Sequence, residues 1–351
     1  MLLVLTISSA TCAQTLVTLD RRILPVESSA PRYPTINALL LCGDTLVVGA
    51  WNGVWMQCDT TQEWRKLIGA VEAGDDWWVD CDKVKVYQHL FYPTPLWRIP
   101  NSDDIMVYDS YCDVFLRLPL DNLGEGIIRP WWDIPNGDNI SVYGIHVQQD
   151  LIVAGLWDED SLLIGLGRTT KPGFSRRIFK YPASLGQYLD SVGENWAYCR
   201  PALNPRDSTI WFSINGYRYV YIIDRKGNLL DSLEITAPDF IPPSPPASRM
   251  HSNAVYEDWA SRWTPQMDFR YVPPGFFLLQ YRTGWTKLTP RDSVRLLSTC
   301  AWNDRGQPVE LDVDSNWGMA GVHSDGRLIF GHFEAAEDQN RIILTIKRIE
   351  P

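Results

Sequence analysis

The apolar residues of this chain come in short unbroken runs rather than in strict alternation, and the runs share one layout. A turn residue opens each run, a small or polar residue closes it, and an aromatic often follows. The layout reads Asp44-Thr-Leu-Val-Val-Gly-Ala-Trp51, Asp104-Ile-Met-Val-Tyr-Asp109 and Asp150-Leu-Ile-Val-Ala-Gly-Leu-Trp157. It returns as Asp207-Ser-Thr-Ile-Trp-Phe-Ser213, Pro274-Gly-Phe-Phe-Leu-Leu-Gln280 and Asp325-Gly-Arg-Leu-Ile-Phe-Gly331. The openings at 44, 104, 150, 207, 274 and 325 lie 60, 46, 57, 67 and 51 residues apart. Runs of this length are strands, and a long, loose period of short strands marks a repeat architecture. The expected fold is all-β.

Each repeat expands into a small antiparallel sheet. In the first, strands are predicted at 36–41, 46–51, 54–57 and 63–68, with a turn at 42–44 and the hairpin signal Asn52-Gly53. In the fourth, strands at 196–203, 209–214, 217–223 and 229–235 are separated by Asn204-Pro-Arg-Asp207, Asn215-Gly216 and Asp224-Arg-Lys-Gly-Asn228. Four antiparallel strands make one blade of a β-propeller. The strand-like segments 15–19 and 341–349 sit at the two ends of the chain. Pairing between them closes the ring and removes a free edge. Residues 237–268 break the pattern, because Pro238, Pro242, Pro243, Pro245 and Pro246 would deny a ladder its N–H donors. This stretch reads as an insertion between the fourth and fifth blades, near the channel mouth, with a short helix at 253–262.

The segment Tyr221-Ile-Ile-Asp-Arg-Lys-Gly-Asn-Leu-Leu230 resembles the inner-blade signature of six-bladed propellers of the TolB-like and NHL-like kind. That signature is an apolar strand, Asp, a basic residue, Gly and a second apolar strand. The resemblance spans residues 30–350 and implies a single six-bladed propeller of the sort found in exported bacterial proteins of unassigned role. Only the fourth repeat carries the signature in full, which leaves seven blades open. The enzymatic, lactonase-like members of the group hold calcium in the central channel with side chains from several blades.

Composition narrows the partners. A chain of 351 residues can bury roughly three quarters of its unfolded surface, so core supply sets no limit. A net charge of -10 disfavours nucleic acid, whose phosphates need a basic face. The 24 glycines and 24 prolines suit strands and turns. Sixteen tryptophans read first as packing between sheets. The doublets Trp77-Trp78 and Trp131-Trp132 add a second reading. Neighbours on a strand point to opposite faces, so one of each pair is a candidate for stacking on a glycan or protein ligand.

The apolar run at 2–7, followed by Ser8, Ser9 and Ala10, resembles the end of a secretory signal peptide. Residues 1–13 are read as its remnant, with the mature chain starting at Gln14 in a secreted or periplasmic protein. The alternative is a lipoprotein anchored through Cys12. No other segment approaches the roughly 18 consecutive apolar residues of a membrane span. Cys42, Cys58, Cys81, Cys112, Cys199 and Cys300 remain, which permits up to three disulfides in an exported protein; buried free thiols are the other reading.

Catalytic signatures are sparse. There is no G-x-S-x-G elbow, and Gly165-Leu-Gly167 lacks the third glycine of a dinucleotide fingerprint. The five histidines, His89, His146, His251, His323 and His332, fall in no metal-ligand spacing, although His323 and His332 flank one turn. Asp312, Asp314 and Asn316 copy the opening of a calcium loop, with oxygen ligands at alternate positions. Trp317 stands where that loop needs glycine, so a plain acidic turn is the main expectation. The favoured function is a non-enzymatic binding or scaffold module in the cell envelope or outside the cell, with no required cofactor. The competing expectation is a hydrolase or lyase with a central-channel site that uses calcium.

Overall fold

The computed structural model describes residues 12–25, 36–42, 45–50, 53–57, 64–69, 93–99, 102, 104–109, 114–119, 129–133, 140–158, 161–192, 199–237, 239–241, 266–283, 296–323, 325–334 and 341–350. Strand β1 (Cys12–Pro25) comes first. Four sheets of four strands follow in chain order. The first holds β2 (Ile36–Cys42), β3 (Thr45–Ala50), β4 (Gly53–Gln57) and β5 (Trp64–Gly69). The second holds β6 (Pro93–Arg98), β7 (Asp104–Asp109), β8 (Val114–Pro119) and β9 (Arg129–Asp133). The third holds β10 (Ile140–Gln148), β11 (Leu151–Asp158), β12 (Ser161–Arg168) and β13 (Lys171–Ile178). Helix α1 (Ala183–Val192) leads to the fourth, which holds β14 (Cys199–Leu203), β15 (Ile210–Ile214), β16 (Tyr219–Ile223) and β17 (Leu229–Glu234).

The last strands are β18 (Gln266–Val272), β19 (Phe276–Thr283), β20 (Leu296–Asn303), β21 (Pro308–Leu311), β22 (Gly318–Val322), β23 (Arg327–Glu334) and β24 (Arg341–Glu350). They form one eight-stranded sheet, ordered β18-β19-β20-β21-β1-β24-β23-β22. The expected pairing of the chain ends is present: β1 runs antiparallel to β24 from Thr15 opposite Glu350 to Pro25 opposite Arg341. One feature differs from expectation. Cys12, Ala13 and Gln14 also pair, in parallel, with Val309, Glu310 and Leu311 of β21. That short ladder joins two four-stranded groups into a single sheet. Residues 242–265 of the expected insertion, including the helix at 253–262, lie outside the described residues, and β18 begins at Gln266.

All six openings of the sequence repeat lead into the second strand of a four-stranded group: β3, β7, β11, β15, β19 and β23. Each of these strands carries an unbroken apolar run because both of its faces are covered there. On β15, Trp211 stacks on Phe277 of β19 at 3.9 Å, while its neighbour Phe212 packs the other way, against Tyr221 and the third sheet. Unbroken apolar runs are what two buried faces require. The same face-to-face packing joins the second sheet to the third, β18–β21 to β22–β24, and β22–β24 to the first sheet. The first strands of the groups also touch in order. β2 lies against β6, β6 against β10, β10 against β14, β14 against β18, β18 against β22, and β22 against β2.

Turn chemistry fixes the strand ends. Asp224 Oδ1 accepts the N–H groups of Lys226 (2.7 Å) and Asn228 (2.9 Å), and Gly227 turns with φ +89. Asn303 serves Arg305 and Gln307 in the same way around Gly306, and Asp325 serves Arg327 beside Gly326. Glycine supplies the left-handed conformation that a side chain disfavours. The sequence pattern did not point to α1. Its Leu185, Tyr188 and Leu189 sit at i, i+3 and i+4 and are buried between the third and fourth sheets. Tyr188 Oη donates to the Asn215 carbonyl at 2.7 Å. Pro182 ahead of the helix accepts from the N–H groups of Leu185 and Gly186.

Candidate functional site

Three consecutive first strands, β10, β14 and β18, bring polar groups together on the inner side of the sheets. Gly144 and Gly155 are register partners on β10 and β11, and both come close to the start of β14. This close approach sets β14 beside the later residues of β10, His146 and Gln148. On β18 a bulge between Gln266 and Asp268 resets the register. Beyond it Phe269 and Tyr271 enter the aromatic core, and Asp268 and Arg270 take the alternate positions.

Arg270 Nε donates to Asp268 Oδ2 at 2.5 Å, and the Phe269 N–H donates to Asp268 Oδ1 at 2.9 Å. Arg200 of β14 approaches the same carboxylate from the neighbouring sheet, with Nη1 3.9 Å from Oδ1. That is an ion-pair distance but not a hydrogen bond. The three side chains keep partial access to solvent, at 30% for Arg200, 17% for Asp268 and 26% for Arg270. Two guanidinium groups thus share one carboxylate, a local positive excess in a chain of charge -10.

His146 is the third element. Burial pulls its imidazole down to about 4, and the positive charge of Arg270 adds to the effect. The contact with Gln148 pushes the other way by more than Arg270 adds, although among the described residues neither His146 Nε2 nor Gln148 Oε1 makes a hydrogen bond of ordinary geometry, and both atoms are buried. Near neutral pH the ring is uncharged. Buried polar atoms without partners are uncommon in folded proteins and call for a physical reason.

A second polar cluster lies at the start of the proline-rich stretch. Tyr281 Oη donates to Asp239 Oδ1 at 2.6 Å, and Ser298 Oγ donates to Asp239 Oδ2. Beside them burial lifts the Cys300 thiol to about 11, so it stays protonated and unreactive. Cys199, fully buried, is raised further by desolvation. Both are free thiols, so neither belongs to the three disulfides that the cysteine count allowed. This cluster ties Asp239 to the fifth group of strands.

Of the sequence candidates, Trp131 and Trp132 fall on β9, the outermost strand of its sheet, with Trp132 opposite Phe115. Trp77 and Trp78 lie outside the described residues. Asp312, Asp314 and Asn316 occupy an exposed turn in which Asp314 Oδ1 accepts the Asn316 N–H at 2.9 Å. No group of three or more His, Cys, Asp or Glu able to hold a metal occurs among the described residues. His323 and His332 part company: His323 pairs with Asp325 at 2.8 Å, and His332 lies by Trp317. The inner cluster went unseen in the sequence, although a signal exists. Asp268-Phe-Arg-Tyr271 and Ile145-His-Val-Gln148 alternate polar with apolar, unlike the unbroken second strands.

No protein-family profile matches this sequence, and no curated protein matches it. Among solved structures it is similar to a member of the DUF4221 family from Bacteroides vulgatus. The two are 12% identical, with 96% of this chain and 99% of that one covered, at a TM-score of 0.59. The fold is a β-propeller. A chain of the mitotic checkpoint complex is similar to this propeller at a TM-score of 0.52, with 9% identity and 94% of each chain covered. Virginiamycin B lyase from Staphylococcus aureus follows at 0.48, with 12% identity and 93% and 99% covered. At such identities the likeness is one of fold. No helix among the described residues of the propeller is long and apolar enough to cross a membrane.

Proposed function

We propose that the chain is a single six-bladed propeller of the TolB-like and NHL-like kind, exported from the cytoplasm, that works as a binding module with its ligand seated on the inner strands. Six blades follow if the eight-stranded sheet is divided at β1. The two groups are then β18–β21 and β22–β24 with β1, which share strand pairing, among the described residues, through the ladder from Cys12 to Gln14. The ordered contacts of the first strands, returning from β22 to β2, support a closed ring. Export rests on the apolar run at 2–7 and the small residues after it.

The observation that carries the functional reading is the meeting of Arg200, Asp268 and Arg270 from two sheets, within electrostatic reach of His146 on a third. Polar groups gathered on a rigid, otherwise apolar frame are the usual anatomy of a ligand site. Binding is favoured over catalysis because the Asp268 carboxylate is already engaged by Arg270 and by a backbone N–H. It is therefore not free to move a proton. The tryptophans Trp131 and Trp132 stand on an outermost strand, away from the inner strands, and carry less of the argument.

The test is a ligand screen of small molecules, glycans and peptides, read by thermal shift, with every hit repeated on Arg200→Met. Loss of the response in the variant is expected. A hit that stabilises the variant as much as the parent protein refutes an inner-strand site.

A further inference from the structure

We propose that the inner-strand cluster binds a small ligand carrying an oxyanion, a carboxylate or a phosphate, together with a hydrogen-bond donor. This deepens the reading above and rests on the cluster being the ligand site. A guanidinium presents five N–H groups in a planar fork that matches carboxylate and phosphate oxygens. Arg270 directs Nε at Asp268, and Arg200 stands 3.9 Å from that carboxylate without a hydrogen bond to any described residue. Asp268 Oδ1 is meanwhile taken by the Phe269 N–H. One carboxylate cannot satisfy both forks, so among the described residues the pair is one anion short.

The neighbouring acceptors give the second half of the inference. Gln148 Oε1 and His146 Nε2 are buried, and apart from their mutual contact neither makes a hydrogen bond of ordinary geometry among the described residues. The ring is neutral, so Nε2 can accept a proton-bearing group when Nδ1 holds the hydrogen. A ligand that set an oxyanion on the arginines and a hydroxyl or amide N–H toward His146 and Gln148 would leave none of these atoms orphaned. An uncharged ligand would leave the guanidinium excess unanswered. A cation would meet two arginines with a single, already engaged carboxylate between them.

The ligand must compete with Asp268, and this gives the test two opposite signs. Isothermal titration of the full chain would use tartrate, succinate and inorganic phosphate, with glycerol as the uncharged control. Tartrate should bind more tightly than succinate, because only tartrate brings hydroxyl donors. Arg200→Met and Arg270→Met should each weaken tartrate by about tenfold or more, the loss of one charge-assisted contact. Asp268→Asn should tighten it several-fold, since the competing charge is gone and the arginines remain. The asparagine variant keeps the test decisive if an arginine variant fails to fold.

Three results would overturn the inference: no heat from any oxyanion at about 10 mM, in the millimolar range of weak sites; weaker binding in Asp268→Asn; or equal binding in folded arginine variants. If the oxyanions fail while some other screened ligand is lost in Arg200→Met, the oxyanion assignment falls and the inner site stands. If Arg200→Met leaves every ligand bound, the site falls as well.

Discussion

Replacing Gly155 by alanine should destabilise the propeller, and the structure sets the size of the effect. Gly155 closes the third repeat on β11 and faces its register partner Gly144 on β10. A Cβ at Gly155 would stand 2.6 Å from the Cys199 carbonyl oxygen and 2.8 Å from Cys199 Cβ. At Gly144 it would meet the same oxygen at 2.6 Å. Ordinary carbon contacts are about 3.5 Å or longer, so β14 would have to retreat by roughly 0.7–0.9 Å. That retreat is resisted, because β14 is also packed against the fifth group of strands through Ala202. Overpacking of this kind costs about 1–3 kcal/mol. Loss of glycine's freedom in the unfolded chain offsets roughly 0.4–1 kcal/mol. The net expectation for Gly155→Ala is a loss of about 1–2 kcal/mol, and more for valine. The assay is urea unfolding, read as a lower midpoint at unchanged slope. Gly318→Ala is the control, since its Cβ would find nothing nearer than 3.7 Å; that variant should be neutral. Gly155→Ala as stable as the parent chain would refute the close approach of the third and fourth sheets at β14.

Other perturbations follow from the same geometry. His146 takes up a proton far less readily in the folded chain, at about 4 against 6.5. The unfolded chain therefore binds a proton that the folded one refuses, and stability present above pH 6.5 is lost as the pH falls toward 4. At pH 5 the loss is about 2 kcal/mol, and His146→Gln should remove that share when urea midpoints at pH 7 and pH 5 are compared. An equal acid loss in the variant would clear His146 of the effect. Asp239→Ala takes away the carboxylate acceptor of the Tyr281 hydroxyl, on a residue 1% exposed, and leaves it only the Cys300 thiol nearby; it should cost about 1–3 kcal/mol. Adding Tyr281→Phe should restore part of it; no recovery would mean that the hydrogen bond is not what Asp239 contributes. Calcium and chelator should leave the melting temperature unchanged, because the turn of Asp312, Asp314 and Asn316 is held by its own hydrogen bond. A site filled at a hundred times its Kd would add about 2.7 kcal/mol, which a melt would detect.

The parts of the fold that were legible in the sequence are those set by local chemistry. The first and fourth sheets fall where their turn residues put them, because Asn52-Gly53 and the Asp224 turn each dictate a reversal within a few residues. The end-to-end pairing of β1 with β24 was legible too, since both are strand-like and a free edge is costly. Helix α1 was not. Gly186 and the polar residues around it give little helical propensity, and the helix exists because Leu185, Tyr188 and Leu189 fill a gap between two sheets. The inner cluster was equally hidden. Arg200 and Asp268 lie far apart in sequence, and a bulge decides which way Asp268 faces.

The small or polar residue that closes each repeat shows how a local pattern can encode a contact between sheets. At Gly155 the side chain is absent because the Cys199 backbone of the next sheet occupies its place. At the equivalent end of β19, Gln280 does the opposite and fills the junction. Its Nε2 donates to the Trp317 carbonyl at 2.8 Å, and its Oε1 accepts the Met319 N–H at 2.7 Å. One residue makes room and the other makes bonds, yet both receive the first strand of the following group. A position held by glycine, aspartate, serine or glutamine but never by a large apolar residue looks like noise in a hydrophobic pattern. At Gly155 and Gln280 it is the point at which one sheet meets the next, and Gly155 lets the strand that carries Arg200 come close.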